Sequence, residues 1–192
     1  MDSASRPKTS LLITLGAAVV ADMVAAECAM GRKMWGAAGK AGLWSGDINS
    51  STNSQFVADP YSFTHVLHGM VFYGLLWLAG RKWPAPVRAL AALILESAWE
   101  VAENSDFVID RYRAQTISLN YYGDSIVNSV SDVAAAMLGF LLAWRLPPLA
   151  TLAIFLLVET AMALAVRDNL TVNVIMLIHP VQAIRAWQEH KF

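Results

Sequence analysis

The chain has 192 residues, of which 56% are hydrophobic and only 15% charged, against about 25% charged in ordinary soluble domains. With a mean hydropathy of +0.45, it lacks the charged surface that a soluble bundle of this size requires. A formal net charge of −1 gives no field for nucleic acid, and a single cysteine, Cys28, excludes an intramolecular disulfide.

A hydrocarbon core about 30 Å thick takes roughly 20 apolar residues of helix. Five stretches reach that length: Ser10–Met30, Phe63–Gly80, Val87–Val108, Ser125–Trp144 and Leu149–Val166. Backbone groups in lipid must be satisfied within the segment, so each is expected to be a helix. The runs Arg81-Lys82-Trp83-Pro84-Ala85-Pro86 and Arg145-Leu146-Pro147-Pro148 are sharp breaks between spans. Trp35, Trp44, Trp77, Trp83, Trp144 and Trp187 fall near span ends, where an aromatic belt would place them. Arg6 and Lys8 precede the first span, as in a signal peptide, but four further spans favour an uncleaved helix. In the tail, Leu170–Ile178 is too short to cross. Pro180 opens a final amphipathic helix suited to the interface; a kinked sixth span over Leu170–Trp187 is the alternative. The expected fold is therefore an all-α integral membrane protein, a bundle of five transmembrane helices (six as the alternative) with a C-terminal interfacial helix, all one domain. The short basic Arg81–Arg88 loop is expected to be cytoplasmic, with the N-terminus on the same side; Arg32, Lys33 and Lys40 then fall outside, against the rule.

Ionisable residues inside these spans are the chief functional signal, because each costs about 2.5–3.5 kcal/mol at the bilayer centre unless it faces protein or water. Glu96, Glu100 and Glu103 recur at i, i+4 and i+7, one face of the third helix. His65 and His68 share a face of the second, and Asp124, Asn128 and Asp132 a face of the fourth. Three polar stripes on consecutive spans are best satisfied by facing one another. Each has a plainer reading too: a hydrogen-bonded core histidine, a stripe that binds the bundle together, or an N-cap at Asp124 or Ser125. Gly123-Asp124-Ser125 also matches a serine hydrolase motif, but that motif belongs to soluble α/β enzymes. Arg111, Arg113 and Arg167 are candidates for lipid or phosphate contact through their guanidinium forks; an interface anchor or an ion pair (with Asp110 for the first two) is the alternative for all three. Asp22, Glu27 and Glu159 are further embedded acids, of which Asp22 and Glu27 do not share a face.

The stretches Asp59–Gly69, Glu96–Asn104, Tyr122–Ser129 and Arg167–Pro180 together resemble a family of uncharacterised bacterial multi-pass inner-membrane proteins, known by a domain-of-unknown-function label. The resemblance runs from about Leu43 onward and implies a bacterial inner-membrane location. Relatives tend to carry cysteines in the loop after the first span and a histidine after the Asn-Ser-Gln run. Here that loop reads Trp35-Gly36-Ala37-Ala38-Gly39, and Phe56 follows Asn53-Ser54-Gln55. If those residues bind metal in relatives, this chain lacks that site. A looser similarity of Ser131–Gly139 to VanZ-like membrane proteins adds no chemistry.

Three functions are compatible with the stripes. A membrane-embedded enzyme on a lipid or lipid-linked substrate would use Glu96, Glu100 or Glu103 as general acid or base, with Asp124, Asn128 and Asp132 in the same centre. His65 and His68, with a carboxylate, would then hold one divalent metal ion, although no motif such as H-E-x-x-H is present. A small transporter would use the same carboxylates as a proton or cation relay and would need a homo-oligomer. An assembly subunit of a larger membrane complex would use them for packing alone.

Overall fold

The computed structural model describes residues 8–36, 39–118 and 120–189; Arg6, Ala37 and Ala38, named above, lie outside them. Among the described residues the chain is all α, with eight helices: α1 Thr9–Ala29, α2 Ser62–Ala79, α3 Ala85–Glu103, α4 Asp106–Gln115, α5 Ile126–Arg145, α6 Pro148–Ala165, α7 Leu170–Ile178 and α8 Gln182–Glu189. Four of them, α1, α2, α5 and α6, are long and apolar enough to cross a membrane. These match four of the five expected stretches to within a residue or two.

The third stretch differs. Its helix stops at Glu103, and Ser105 caps a separate helix α4, its hydroxyl accepting the Val108 N–H at 3.4 Å. Asn104, at the break, turns its side chain inward. Arg88 is a second correction: it is not part of a basic loop but is buried in α3, its guanidinium 5.4 Å from the centre of the Tyr73 ring. The tail follows the broken-helix expectation, α7 and α8 being separated at His179-Pro180-Val181, where Pro180 has no N–H to continue α7.

α2 and α5 pack most closely. They run parallel, His65 facing Asp132 at one end and Tyr73 facing Phe140 farther along. Glycine makes the approach possible. A Cβ at Gly69 would collide with the Ala136 carbonyl, and one at Gly139 with the Val66 carbonyl; small residues at such crossings let backbones touch. α3 runs antiparallel to α2, placing Glu96 and Glu100 beside His65 and Arg88 beside Tyr73. α1 lies along α3, and α6 covers α2 through Ile154, Phe155 and Val158.

The ends of this bundle are unlike. One carries the α2–α3 and α5–α6 turns with Arg81, Lys82 and Arg145, and no acidic residue falls within 77–90 or 142–152. Arg81 and Arg145 lie over the rings of Trp77 and Trp144. The other end holds the long 30–61 connection, α4, α7 and α8. The long connection closes on the start of α5, with Lys33 and Met34 carbonyls accepting the Ile126 and Val127 N–H groups at 2.9 and 3.2 Å. Donors left over at a helix N-terminus are thus satisfied by distant chain.

Candidate functional site

The polar stripes meet at the loop-bearing end. His65 Nδ1 lies 2.6 Å from Glu96 Oε1 and 3.3 Å from Glu100 Oε1, and its Nε2 is 3.9 Å from Asp132 Oδ2. His68 Nδ1 sits 3.2 Å from both oxygens of Glu96, and the two imidazoles stand edge to face with centroids 5.0 Å apart. Glu96 and Glu100 are fully buried. The i, i+3 and i, i+4 spacings produce this directly, since each set projects from one side of its helix.

Donor atoms of His65, His68 and Glu96 lie within 4.8 Å of one another, and so do those of His65, Glu100 and Glu103. A tetrahedral zinc with bonds of about 2.1 Å separates its ligand atoms by about 3.4 Å, and imidazole with carboxylate is a donor set for zinc, manganese or iron. Partnering is uneven. Both oxygens of Glu100, Oδ1 of Asp132 and Oε2 of Glu103 are buried without a hydrogen-bond partner among the described residues. A buried carboxylate in that condition calls for a proton or a cation.

A second group of residues adjoins this one. Asn104 Nδ2 donates to Asp124 Oδ2 at 3.3 Å and to Ser129 Oγ at 3.2 Å, while Asn104 Oδ1 accepts the Asp124 N–H at 2.7 Å. Tyr121 donates its hydroxyl proton to Asp124 at 3.0 Å. Asp124 lies ahead of α5, and burial, with Glu103 and Asp132 nearby, holds its carboxyl well above the usual range. The N-cap of α5 is Ser125, accepting the Asn128 N–H at 3.3 Å.

Of the residues expected to converge, His65, His68, Glu96, Glu100, Glu103 and Asp132 do so, and Asp124 is joined through Asn104. Asn128 stands apart: its amide donates to the Phe56 carbonyl at 3.0 Å, fastening the long loop to α5. The arginines meet protein acceptors. Arg111 donates to the Leu177 and Ile178 carbonyls at 2.8 and 3.2 Å, closing the end of α7. Arg113 pairs with Asp110, and Arg167 donates to the Trp187 carbonyl at 2.8 Å. Glu27 is fully buried on α1 beside Arg32 and Ser129, whereas Asp22 is exposed. Sequence spacing did not single out Tyr61, Tyr112 or Tyr121, which wall the site from loops and α4; their only signal was tyrosine close to acidic residues.

Three spaces adjoin here, each sharing lining residues with the next. A cavity of about 50 Å³, room for a few waters or an ion, is bounded by His65, His68, Glu103 and Asp132. It shares His68, Trp99, Leu170 and Val174 with an apolar groove of about 680 Å³ between α2, α3, α6 and α7. On its other side it shares Asn53, Ser118, Tyr121 and Asp124 with a polar vestibule of about 510 Å³ under the loops.

Comparison with known proteins gives a consistent answer. Residues 27–190 match the family described as "Protein of unknown function (DUF2585)". A UPF0314 protein of Rhizobium meliloti is 49% identical over 189 residues, covering 97% of this chain and 94% of the relative. One from Sinorhizobium fredii is 48% identical, covering 93% and 89%, and one from Sphingopyxis alaskensis is 44% identical, covering 91% and 93%. No solved structure matches the chain. The chain therefore belongs to the DUF2585 family, together with these UPF0314 proteins of bacteria.

Proposed function

We propose that this protein is a membrane-embedded, metal-dependent enzyme acting on a lipid or lipid-linked substrate in the bacterial inner membrane. The observation that carries this reading is the junction at His68 and Trp99, which line both a histidine–carboxylate cavity and an almost wholly apolar groove beside it. An alkyl or prenyl chain suits the groove, and such a chain would bring the linkage to its headgroup against the cluster. α3 serves as a fifth span in this reading: its 19 residues extend about 28 Å, and its buried charges face protein rather than lipid.

His65, His68 and Glu96 are the proposed ligands of one divalent ion, which would supply Lewis acidity and an activated water. Glu100 and Glu103 are placed to move a proton, having acceptor oxygens without hydrogen bonds among the described residues and, for Glu100, His65 Nδ1 at 3.3 Å. Asp132 faces Nε2 of His65, the side away from Glu96, and orients the ring. A relay across the bundle is less well supported. Beside His68 and toward the other end of α2, Leu67, Met70 and Ala143 form a buried apolar cluster that has no group to relay a proton. In this reading the end with the short Arg81–Lys82 turn and Arg145 is the cytoplasmic one, although Arg32, Lys33 and Lys40 then lie outside, and the site is on the opposite face.

Reconstituting the protein with a total bacterial lipid extract and following lipid species by mass spectrometry tests the proposal. A species converted in a chelator-sensitive manner, and left unconverted by Glu100→Gln, is the expected result. An unchanged lipid profile from metal-loaded protein would overturn it.

A further inference from the structure

The polar vestibule is not used by the chemistry above, and its lining points to a ligand of its own. It lies between the long connection and the α4–α5 loop, on the far side of the reaction cavity from the apolar groove. Its cations are Arg32 and Lys33. Arg32 donates to the Tyr122 carbonyl and lies 4.0 Å from the exposed Asp106 carboxylate, while its Nε–H has no partner among the described residues. Lys33 is exposed on the vestibule wall. One acid, Asp124, lies at the border with the reaction cavity, where it accepts from Asn104 and Tyr121, and the remaining lining is dominated by neutral hydrogen-bonding groups, among them Asn49, Asn53 and Ser118. Asn53 Oδ1 is buried and unpartnered among the described residues, at the border with the reaction cavity. Tyr122 adds an exposed aromatic ring.

Amides and hydroxyls beside an aromatic ring suit a polyol, and a guanidinium with an ammonium suits phosphate or carboxylate. The volume of about 510 Å³ is within the usual range for a small-molecule site. Order matters as much as composition, because apolar groove, histidine–carboxylate cavity and polar vestibule lie in sequence, each sharing lining residues with the next. We infer that the vestibule binds the hydroxyl-rich, anionic headgroup of an amphiphile whose chain occupies the groove. The substrate class is then a lipid-linked sugar phosphate or a chemically similar glycolipid. This rests on the enzymatic reading above, but the vestibule makes a separate prediction about binding.

The test uses glucose 1-phosphate as probe, with glucose and inorganic phosphate alone as comparisons, on the full chain in detergent. Calorimetric titration and metal content are measured on the same samples. Saturable binding of glucose 1-phosphate is expected, tighter than either comparison. Lys33→Gln should weaken it about tenfold, the usual loss for one charge-assisted contact, and Lys82→Gln at the opposite end should leave it unchanged. Lys33 contributes only its backbone carbonyl to the fold contacts described, so its replacement keeps the helix cap of α5. Absence of saturable binding, or equal binding by wild type and Lys33→Gln, overturns the vestibule assignment. Metal retained without probe binding removes this inference alone; probe binding without metal removes the metal-dependent reading and leaves the vestibule standing.

Discussion

Two groups of buried acids in this protein are treated oppositely by their surroundings. At the α6–α7 turn, Glu159 accepts the Leu170 N–H at 2.9 Å and the Thr171 N–H at 3.2 Å, supplying the acceptors that the start of α7 lacks internally. Asp168 beside it accepts from the Asn169 N–H, the Asn173 amide and the Tyr61 hydroxyl. In the α2–α3–α5 cluster, Glu100 is equally buried yet neither oxygen has a hydrogen bond among the described residues. Burial alone therefore does not separate a structural acid from a chemical one. The first kind is surrounded by backbone and side-chain donors, and the second is left for something that arrives.

The contrast can be broken by exchanging what each acid does. Glu159→Ala should destabilise the protein most, by about 2–5 kcal/mol, because two helix-start N–H groups lose a charged acceptor. Thermal unfolding in detergent reads this, and an unchanged midpoint would mean that α7 is not anchored by Glu159.

Next in size is a pH effect at Asp168. Burial raises its carboxyl from the ordinary 3.8 to about 6, against the hydrogen bonds from Asn173, the Asn169 N–H and Tyr61 that lower it. The folded state then holds the proton more tightly than the unfolded chain does. Stability should be greatest below about pH 4 and fall by about 3 kcal/mol as pH rises through 6. Asp168→Asn should flatten that part of the profile; an unaltered slope would place the titration elsewhere.

Smallest in stability, and sharpest in meaning, is Glu100→Gln. It removes a desolvated charge and keeps shape and hydrogen-bonding capacity, so the unfolding midpoint should stay the same or rise, by at most about 1 kcal/mol. Its activity should nevertheless be lost. A large drop in stability with activity retained would move Glu100 into the structural group.

The sequence made one of these two regions far more legible than the other. Helical spacing places Glu96, Glu100 and His65 on definite faces, and matching polar faces on three spans left few ways to satisfy them. Asp132 followed from the same rule. The α6–α7 turn offered no period. Glu159 read only as one more embedded acid, because its partners are backbone N–H groups of a nine-residue helix that composition could not locate. The break at Asn104-Ser105 was hidden for a related reason: Phe107 and Val108 continue the apolar pattern while Ser105 caps a new helix. Arg88 was drawn into a basic loop by its neighbours Arg81 and Lys82, whereas Pro84 ahead of Ala85 starts α3 earlier. The vestibule could not be read at all, since its walls come from irregular chain on either side of α2 through α4.

The most direct test is the metal content of the purified protein, by mass spectrometry after exchange into metal-free buffer, for wild type and for His65→Ala, Glu96→Gln and Lys82→Gln. About one divalent ion per chain in wild type and Lys82→Gln, and much less in His65→Ala and Glu96→Gln with folding retained, is the predicted result. Equal substoichiometric metal in all four, with no gain on incubation with zinc, manganese or iron(II), would contradict a metal centre at His65, His68 and Glu96.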